Sequence, residues 1–242
     1  MSVTCRFIGR LGNNMFQIAA VVGHAQKHGL KWHAPVANLE SPRFYEFFPK
    51  IPTGRGMAPV YNCHAPDMFN FQNIPGGSAC LTGFFQSEKY FLHCKDKIKE
   101  LFDLNYQSGY EDYVSIHVRR GDYVRYSSDF PPVTMEYLNQ AMSHFKPRQW
   151  LIFSDDIEWC KQNIKGGEYP EGNELEDLSL MASCNNHIIA NSTFSWWGAW
   201  LGQNPDKKII SPHDSSWFGR NNGVKPPLPD LLPKEWIRIK FR

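Results

Sequence analysis

The rhythm of the second half does most to limit how this chain can fold. From residue 113 onward, short apolar runs at 113–118, 150–153, 187–190 and 208–211 alternate with helix-period segments at 134–145, 157–163, 174–184 and 194–201. Thr134 stands where the first of these helices needs an N-cap. Strands this short and apolar, each followed by a helix, predict a parallel sheet covered on both faces.

The first half opens in the same way and then loses regularity. Residues 3–8 read as a strand, Gly9-Arg10-Leu11-Gly12-Asn13-Asn14 as a turn, and residues 15–28 as an apolar helix stopped by Gly29. Pro, Gly and Asn punctuate residues 34–77 so densely that loops and short pieces are expected there. Residues 81–85 predict a strand, and 86–91 lead into a helix ending near Leu101. The polar stretch 105–112 marks a boundary, giving an N-terminal α/β domain over 1–108 and a C-terminal Rossmann-like domain over 109–242. The proline-rich stretch 212–233 is expected to wrap back over the body. There is no internal repeat.

Hydrophobic residues at 42% and charged residues at 21% exclude a disordered chain. A net charge of +2 with one close basic cluster, Arg119, Arg120 and Arg125, argues against a nucleic-acid surface and for small anionic partners. The six cysteines are scattered without a C-x-x-C pair, as expected for free thiols in a reducing, cytoplasmic setting. The first ten residues carry two arginines and run into a glycine turn, unlike a signal peptide. No apolar run approaches the roughly 18 residues of a membrane helix. Any link to a membrane is therefore expected to be peripheral, through a membrane-linked glycan.

In open α/β sheets the ligand lies beyond the carboxyl ends of the strands. Those ends carry Gly9 to Asn13, then Arg119-Arg120-Gly121-Asp122, then Ser154-Asp155-Asp156, then Asn191-Ser192-Thr193-Phe194-Ser195. Glycines, guanidiniums, carboxylates and hydroxyls together suit a nucleoside diphosphate. Free N–H groups at a helix start face phosphate oxygens, and a guanidinium grips them with two parallel bonds. The competing reading of the arginines is internal pairing with Asp122 or another carboxylate. His117 shares a strand face with Arg119 and points toward the same anion site. Asp155 and Asp156 are adjacent, which fits a shared metal poorly. One is read as accepting from a guanine edge and the other as a helix N-cap. Asn191-Ser192-Thr193 is a glycosylation sequon, discounted at a buried strand end. Trp196, Trp197 and Trp200, at helical spacing, read as core before sugar platform.

Five runs in this order resemble glycosyltransferase family 11, the α-1,2-fucosyltransferases: Gly9 to Gln17, Gly83 to Phe91, His117 to Tyr123, Phe153 to Asp156, and Asn191 to Trp200. The likeness extends over nearly the whole chain, with Asn14 and Ile18 standing where glutamine and tyrosine are usual. It implies a GT-B-like α/β fold, two Rossmann-type halves whose parallel sheets face each other across a cleft. It implies GDP-β-L-fucose as donor, a terminal β-galactoside as acceptor, inversion to an α-1,2 linkage, and neither metal nor cofactor. Carried over by motif, Arg119 holds the β-phosphate with Arg120 and His117 beside it. Asp156, or else Asp155, meets guanine. Ser192, Thr193 and Ser195 complete the diphosphate site, and Asn13 faces it from the other half. Asp122 is the candidate base, or else a brace for the arginines. Two other readings stay open: a metal-dependent nucleotide-sugar transferase using Asp155 and Asp156, and a non-catalytic GDP-sugar or glycan binder on the same fold.

Overall fold

The computed structural model describes residues 1–37, 41–56, 58–63, 69–146 and 149–241. The chain divides into two compact units. One holds Met1–Asp103 and Leu228–Pro233, the other Leu104–Pro227 and Lys234–Arg242. Of the proline-rich stretch, residues 228–233 thus return to the first unit.

In the first unit β1 (Ser2–Cys5) runs into α1 (Leu11–His28), which Gly29 closes in the left-handed conformation at φ 61. The helix begins four residues before the sequence places it. Gly12, Asn13 and Asn14 look like loop, but the Asn14 amide donates to the Gly9 carbonyl at 3.0 Å and the Gln17 amide to the Ile8 carbonyl at 3.1 Å. These two buried side chains absorb the turn's carbonyls and let the helix start early. Short pieces follow: β2 (Lys31–Trp32), β3 (Ala34–Pro35), α2 (Phe44–Phe47), β4 (Thr53–Gly54) and β5 (Val60–Asn62). The expectation of loops and short pieces over 34–77 holds for these; residues 38–40, 57 and 64–68 lie outside the described residues. β6 (Ala79–Thr82) ends three residues earlier than expected. The next segment is not one helix but two 3-10 turns, at Glu88–Tyr90 and Leu92–Cys94, before α3 (Lys95–Leu101). The sheet has the order β2-β1-β6-β5 and all its pairs are parallel. β3 and β4 form a separate parallel pair.

The second unit runs β7 (Tyr113–Val118), α4 (Gly121–Arg125), α5 (Met135–Met142), β8 (Gln149–Ser154), α6 (Ile157–Asn163) and β9 (Gly167–Glu168). It continues with α7 (Glu174–Ser183), β10 (Asn186–Ile188), α8 (Thr193–Leu201), β11 (Ile209–Pro212) and β12 (Ile237–Ile239). Thr134 caps α5 by accepting from the Tyr137 N–H. The sheet order is β12-β11-β10-β7-β8-β9, every pair parallel. The chain steps from β7 out to β9 and returns to β10 on the other side of β7. The sheet therefore has its topological switch point between the carboxyl ends of β7 and β10. Val114, Ile116 and Val118 on one face of β7 and Ser115 and His117 on the other are all buried, as a strand covered on both faces requires. Trp196 and Trp197 are fully buried and Trp200 nearly so, packed at 5.1 and 5.5 Å between ring centroids. They are core. All six cysteines are free thiols, and five are buried.

Candidate functional site

Three neighbouring strands of the second unit deliver the predicted residues to one sheet edge. β7 ends at Val118, opposite Ser154 of β8, so Arg119 and Arg120 emerge beside Asp155 and Asp156. The arginines are internally paired. Arg119 donates through one Nη to Asp122 at 2.5 Å and reaches Asp155 through the other at 2.9 Å. Arg120 donates through Nε to Asp156 at 3.0 Å, and its backbone N–H donates to Asp155 at 2.8 Å. Two guanidiniums beside three carboxylates leave this cluster one negative charge in excess.

The two arginines differ in what they keep in reserve. Both Nη groups of Arg119 are engaged, whereas those of Arg120 have no partner among the described residues. The Arg120 guanidinium lies 3.9 Å from the Trp159 ring centroid, which fixes its plane. Arg119 lies 5.5 Å from that of Tyr123. A Cβ at Gly121 would press on the Asp155 carboxylate and displace it.

Asp156, not Asp155, is the helix cap: its carboxylate accepts from the Trp159 N–H at the start of α6. The β8 backbone turns just there, so the second aspartate of the pair reaches the helix while the first reaches back to β7. His117 is 7% exposed, with Nδ1 buried and unpaired and its ring 5.7 Å from Phe194. Burial, aided by the Arg119 charge, lowers its pKa to about 3. It is therefore a neutral imidazole and not a third cation.

Across the switch point stands the start of α8. The approach to it is fixed by the Tyr137 hydroxyl, which donates to the Ile189 carbonyl at 2.6 Å. The Asn191 amide also donates to the Pro131 and Trp217 carbonyls, and the Tyr123 hydroxyl to the Asn191 carbonyl. Asn191 is 2% exposed, which leaves the sequon no room for a glycan. Ser192 occupies the N-cap without using its side chain as a cap. The first N–H groups of α8 and the half-exposed Ser192 and Thr193 hydroxyls thus remain for a ligand. Ser195 is fully buried, and its hydroxyl donates to the Ser192 carbonyl at 3.2 Å. The structure brings it to the helix interior, not to the ligand edge.

Asn13 belongs to the first unit, where its side-chain oxygen accepts from the Gln86 amide at 3.0 Å. Among the described residues no cluster of three or more His, Cys, Asp or Glu side chains is grouped to hold a metal ion. No helix among them is long and apolar enough to cross a membrane. Reasoning from spacing missed Tyr123, Tyr137 and Trp159. Tyr123 closes the run His117 to Tyr123, and Trp159, three residues after Asp156 on α6, carries the cap-to-N3 interval; Tyr137 carried no such signal.

Residues 57–237 match the model of glycosyl transferase family 11. An α-1,2-colitosyltransferase of Escherichia coli is 37% identical, covering 68% of this chain and 63% of its own length. The galactoside 2-α-L-fucosyltransferase SEC1 of Bos taurus is 30% identical over 80% of this chain and 62% of its own. The chain thus spans a little over three fifths of the length of these relatives. Among solved structures, the fucosyltransferase NodZ from Bradyrhizobium superposes with a TM-score of 0.54 at 14% identity, covering 87% of this chain and 94% of that one. NodZ soaked with GDP-fucose gives 0.53 at 15% identity, over 89% and 96%. The fold is thereby α/β and GT-B-like.

Proposed function

The chain belongs to glycosyl transferase family 11, and from that premise we propose that it moves L-fucose from GDP-β-L-fucose to the 2-hydroxyl of a terminal β-galactoside. The transfer inverts the anomeric centre to give an α-1,2 linkage. The observation that carries this reading is the switch point itself. An uncapped helix start on β10's side and two guanidiniums on β7's side present donors to the same sheet edge.

As the sugar leaves with oxocarbenium character, negative charge grows on the β-phosphate of GDP. Preorganised N–H donors at that position lower the barrier most. Arg120, with its Nη groups unspent, offers them without rearrangement. Arg119 offers its own once phosphate takes the place of Asp122, whose side chain is 40% exposed. The carboxylate so released is the candidate base for the galactose 2-hydroxyl proton. Asp155 stays on Arg119 and holds its plane. Asp156, with one oxygen on Arg120 and one on the α6 cap, has less capacity left for guanine than the sequence reading gave it. No divalent cation is needed in this scheme, and the six free thiols support a reducing, cytoplasmic setting.

A second reading concerns the donor sugar, because the colitosyltransferase is the more similar of the two relatives described. Colitose lacks the 3-hydroxyl of fucose. A site built to bond that hydroxyl rejects the deoxy sugar by about 10⁴-fold, whereas a site without such a bond does not. The deciding experiment offers GDP-fucose and GDP-colitose over methyl β-galactoside and lactose, in EDTA, with NMR of the product linkage. Turnover of GDP-fucose to an α-1,2 product is expected. Preference for GDP-colitose makes the second reading correct. Loss of activity in EDTA points to the metal-dependent alternative, and binding of either donor without turnover to a non-catalytic protein.

A further inference from the structure

One stripe of α1 lies under a cavity rather than under close-packed side chains. Ala20, Gly23, His24 and Lys27 follow the i, i+3, i+4, i+7 spacing of a single helix stripe. Together they form the floor of a cavity of ≈ 410 Å³, walled by residues 71–74, Lys89, Tyr90 and His93. α1 starts at Leu11, beyond the carboxyl end of β1. At about 1.5 Å of rise per residue, the cavity lies roughly 13–24 Å down the helix. It is far from the strand ends where an α/β sheet takes its reacting ligand.

The cavity is built and held. Gly23 lets the helix approach the backbone of Tyr90, whose carbonyl a Cβ would strike. The Gln72 N–H donates to the Tyr90 hydroxyl at 2.9 Å, and that hydroxyl donates to the Asn70 carbonyl at 3.2 Å. The Phe71 N–H donates to Asp230 at 2.9 Å, and the same carboxylate pairs with Lys89. Residues 228–233 therefore bolt the wall in place.

What is left unspent defines the occupant. Phe71 presents an aromatic ring that is 38% exposed, 4.9 Å between centroids from Tyr90. His24 is 4% exposed, and its Nε2 must donate to the Gly77 carbonyl at 3.1 Å. Nδ1 therefore keeps its lone pair, and burial lowers the pKa so that the ring is neutral. Nδ1 is not among the sealed, unpaired atoms of the structure. The Asn73 amide and the Lys27 ammonium have no hydrogen bond or ion pair among the described residues. His93 also lines the cavity and donates Nε2 to the Gly23 carbonyl at 3.1 Å. An aromatic face, two imidazoles, one amide and one ammonium match a ring with an apolar face and hydroxyl edges. An acyl chain would leave the His24 and Asn73 groups unpaired. An aromatic carboxylate would find a single available cation, since Lys89 is committed to Asp230.

We propose that this cavity is a second saccharide site, in which a pyranose lays its C–H face on Phe71 and its hydroxyls on His24, Asn73 and Lys27. Choosing a saccharide over other flat-sided rings rests in part on reading the chain as a glycan-modifying enzyme. The test is ¹H–¹⁵N shift mapping with saturating GDP, titrating methyl β-D-galactopyranoside and methyl α-L-fucopyranoside. At least one glycoside is expected to move the amides of residues 71–73 and the His24 imidazole ¹⁵N resonances. Phe71→Ala should raise the dissociation constant read at residues 72 and 73 about tenfold, the scale of a lost aromatic platform. Asn73→Ala, at an exposed position, should weaken binding independently should the first variant misfold. Unmoved resonances, unchanged constants in both variants, or shifts with cyclohexanecarboxylate but with neither glycoside each overturn the proposal. Fucosyl transfer without these shifts sinks this site alone. The shifts without transfer from any donor sink the proposed activity alone.

Discussion

At the scale of single residues, the switch-point cluster sets which substitutions matter. Arg119→Ala should lower kcat/KM by about 10²–10³, the cost of removing one oriented donor to a developing anion. Arg119→Lys should not restore it, because an ammonium cannot span Asp155 and a phosphate oxygen as the planar fork does. Steady-state kinetics with GDP-fucose read this, and near-native turnover in the alanine variant removes Arg119 from the mechanism. Gly121→Ala tests the neighbouring contact from the other direction. Its methyl group would push Asp155 away from both arginines, so activity should drop at least tenfold while GDP still binds, a contrast calorimetry can show. The residue types of this cluster were legible from the short polar runs at the carboxyl end of each strand. Pairing with Asp122 stood as the competing reading; pairing with Asp155 and Asp156 was not legible, because it depends on Val118 standing opposite Ser154, a register that spacing along the chain does not reveal. Spacing along the chain likewise left open which aspartate caps α6, and it put Ser195 at the ligand edge.

Among the elements, α7 and α8 carry the switch-point side of the sheet, and each has one testable fastening. Asn173 caps α7 and Glu176 returns to the Asn173 N–H at 2.7 Å, a complete capping box. Asn173→Ala should cost about 1 kcal/mol in urea unfolding. Gly198 of α8 sits so close to Met181 of α7 that a Cβ would overlap the methionine side chain. Gly198→Ala should therefore destabilise by about 1–3 kcal/mol despite the better helix propensity of alanine. A gain in stability would show that Met181 yields easily. Elements with many apolar positions, such as β7 and α8, were legible because burial leaves a run of apolar residues in the sequence. The two-residue strands β2, β3, β4 and β9 were not, since so short a run carries no period and owes its form to the strand beside it. β12 was missed for the same reason. Ile237-Arg238-Ile239 is too short to stand out beyond the prolines, and it becomes a strand by pairing with β11.

On the scale of the whole molecule, the second sheet holds two histidines in its centre and makes stability depend on pH. His117 of β7 and His187 of β10 stand on neighbouring strands, and the latter shares a 2.8 Å hydrogen bond with Ser115. Burial lowers both to about 3 from 6.5, with Arg119 adding to the effect on the first and Lys207 on the second. An unfolded chain takes up these protons at ordinary pH values and the folded one does not. Their contribution is therefore complete above about pH 6.5 and is lost as the pH falls toward 3. Between pH 6.5 and 5 each histidine should cost about 2 kcal/mol, at 1.36 kcal/mol per unit. Asp177 acts in the opposite sense: burial, with Glu176 and Glu174 nearby, raises its pKa to about 6. Its folded form accepts a proton first, which recovers about 1 kcal/mol by pH 5. The sum is a net loss of about 3 kcal/mol, a large share of the 5–15 kcal/mol that ordinarily holds a domain together. Urea midpoints at pH 7 and pH 5 should differ accordingly, and substituting Asp177 by Asn should widen the gap. A protein equally stable at both values would mean that water reaches these imidazoles, and that the switch point is wetter than its packing implies.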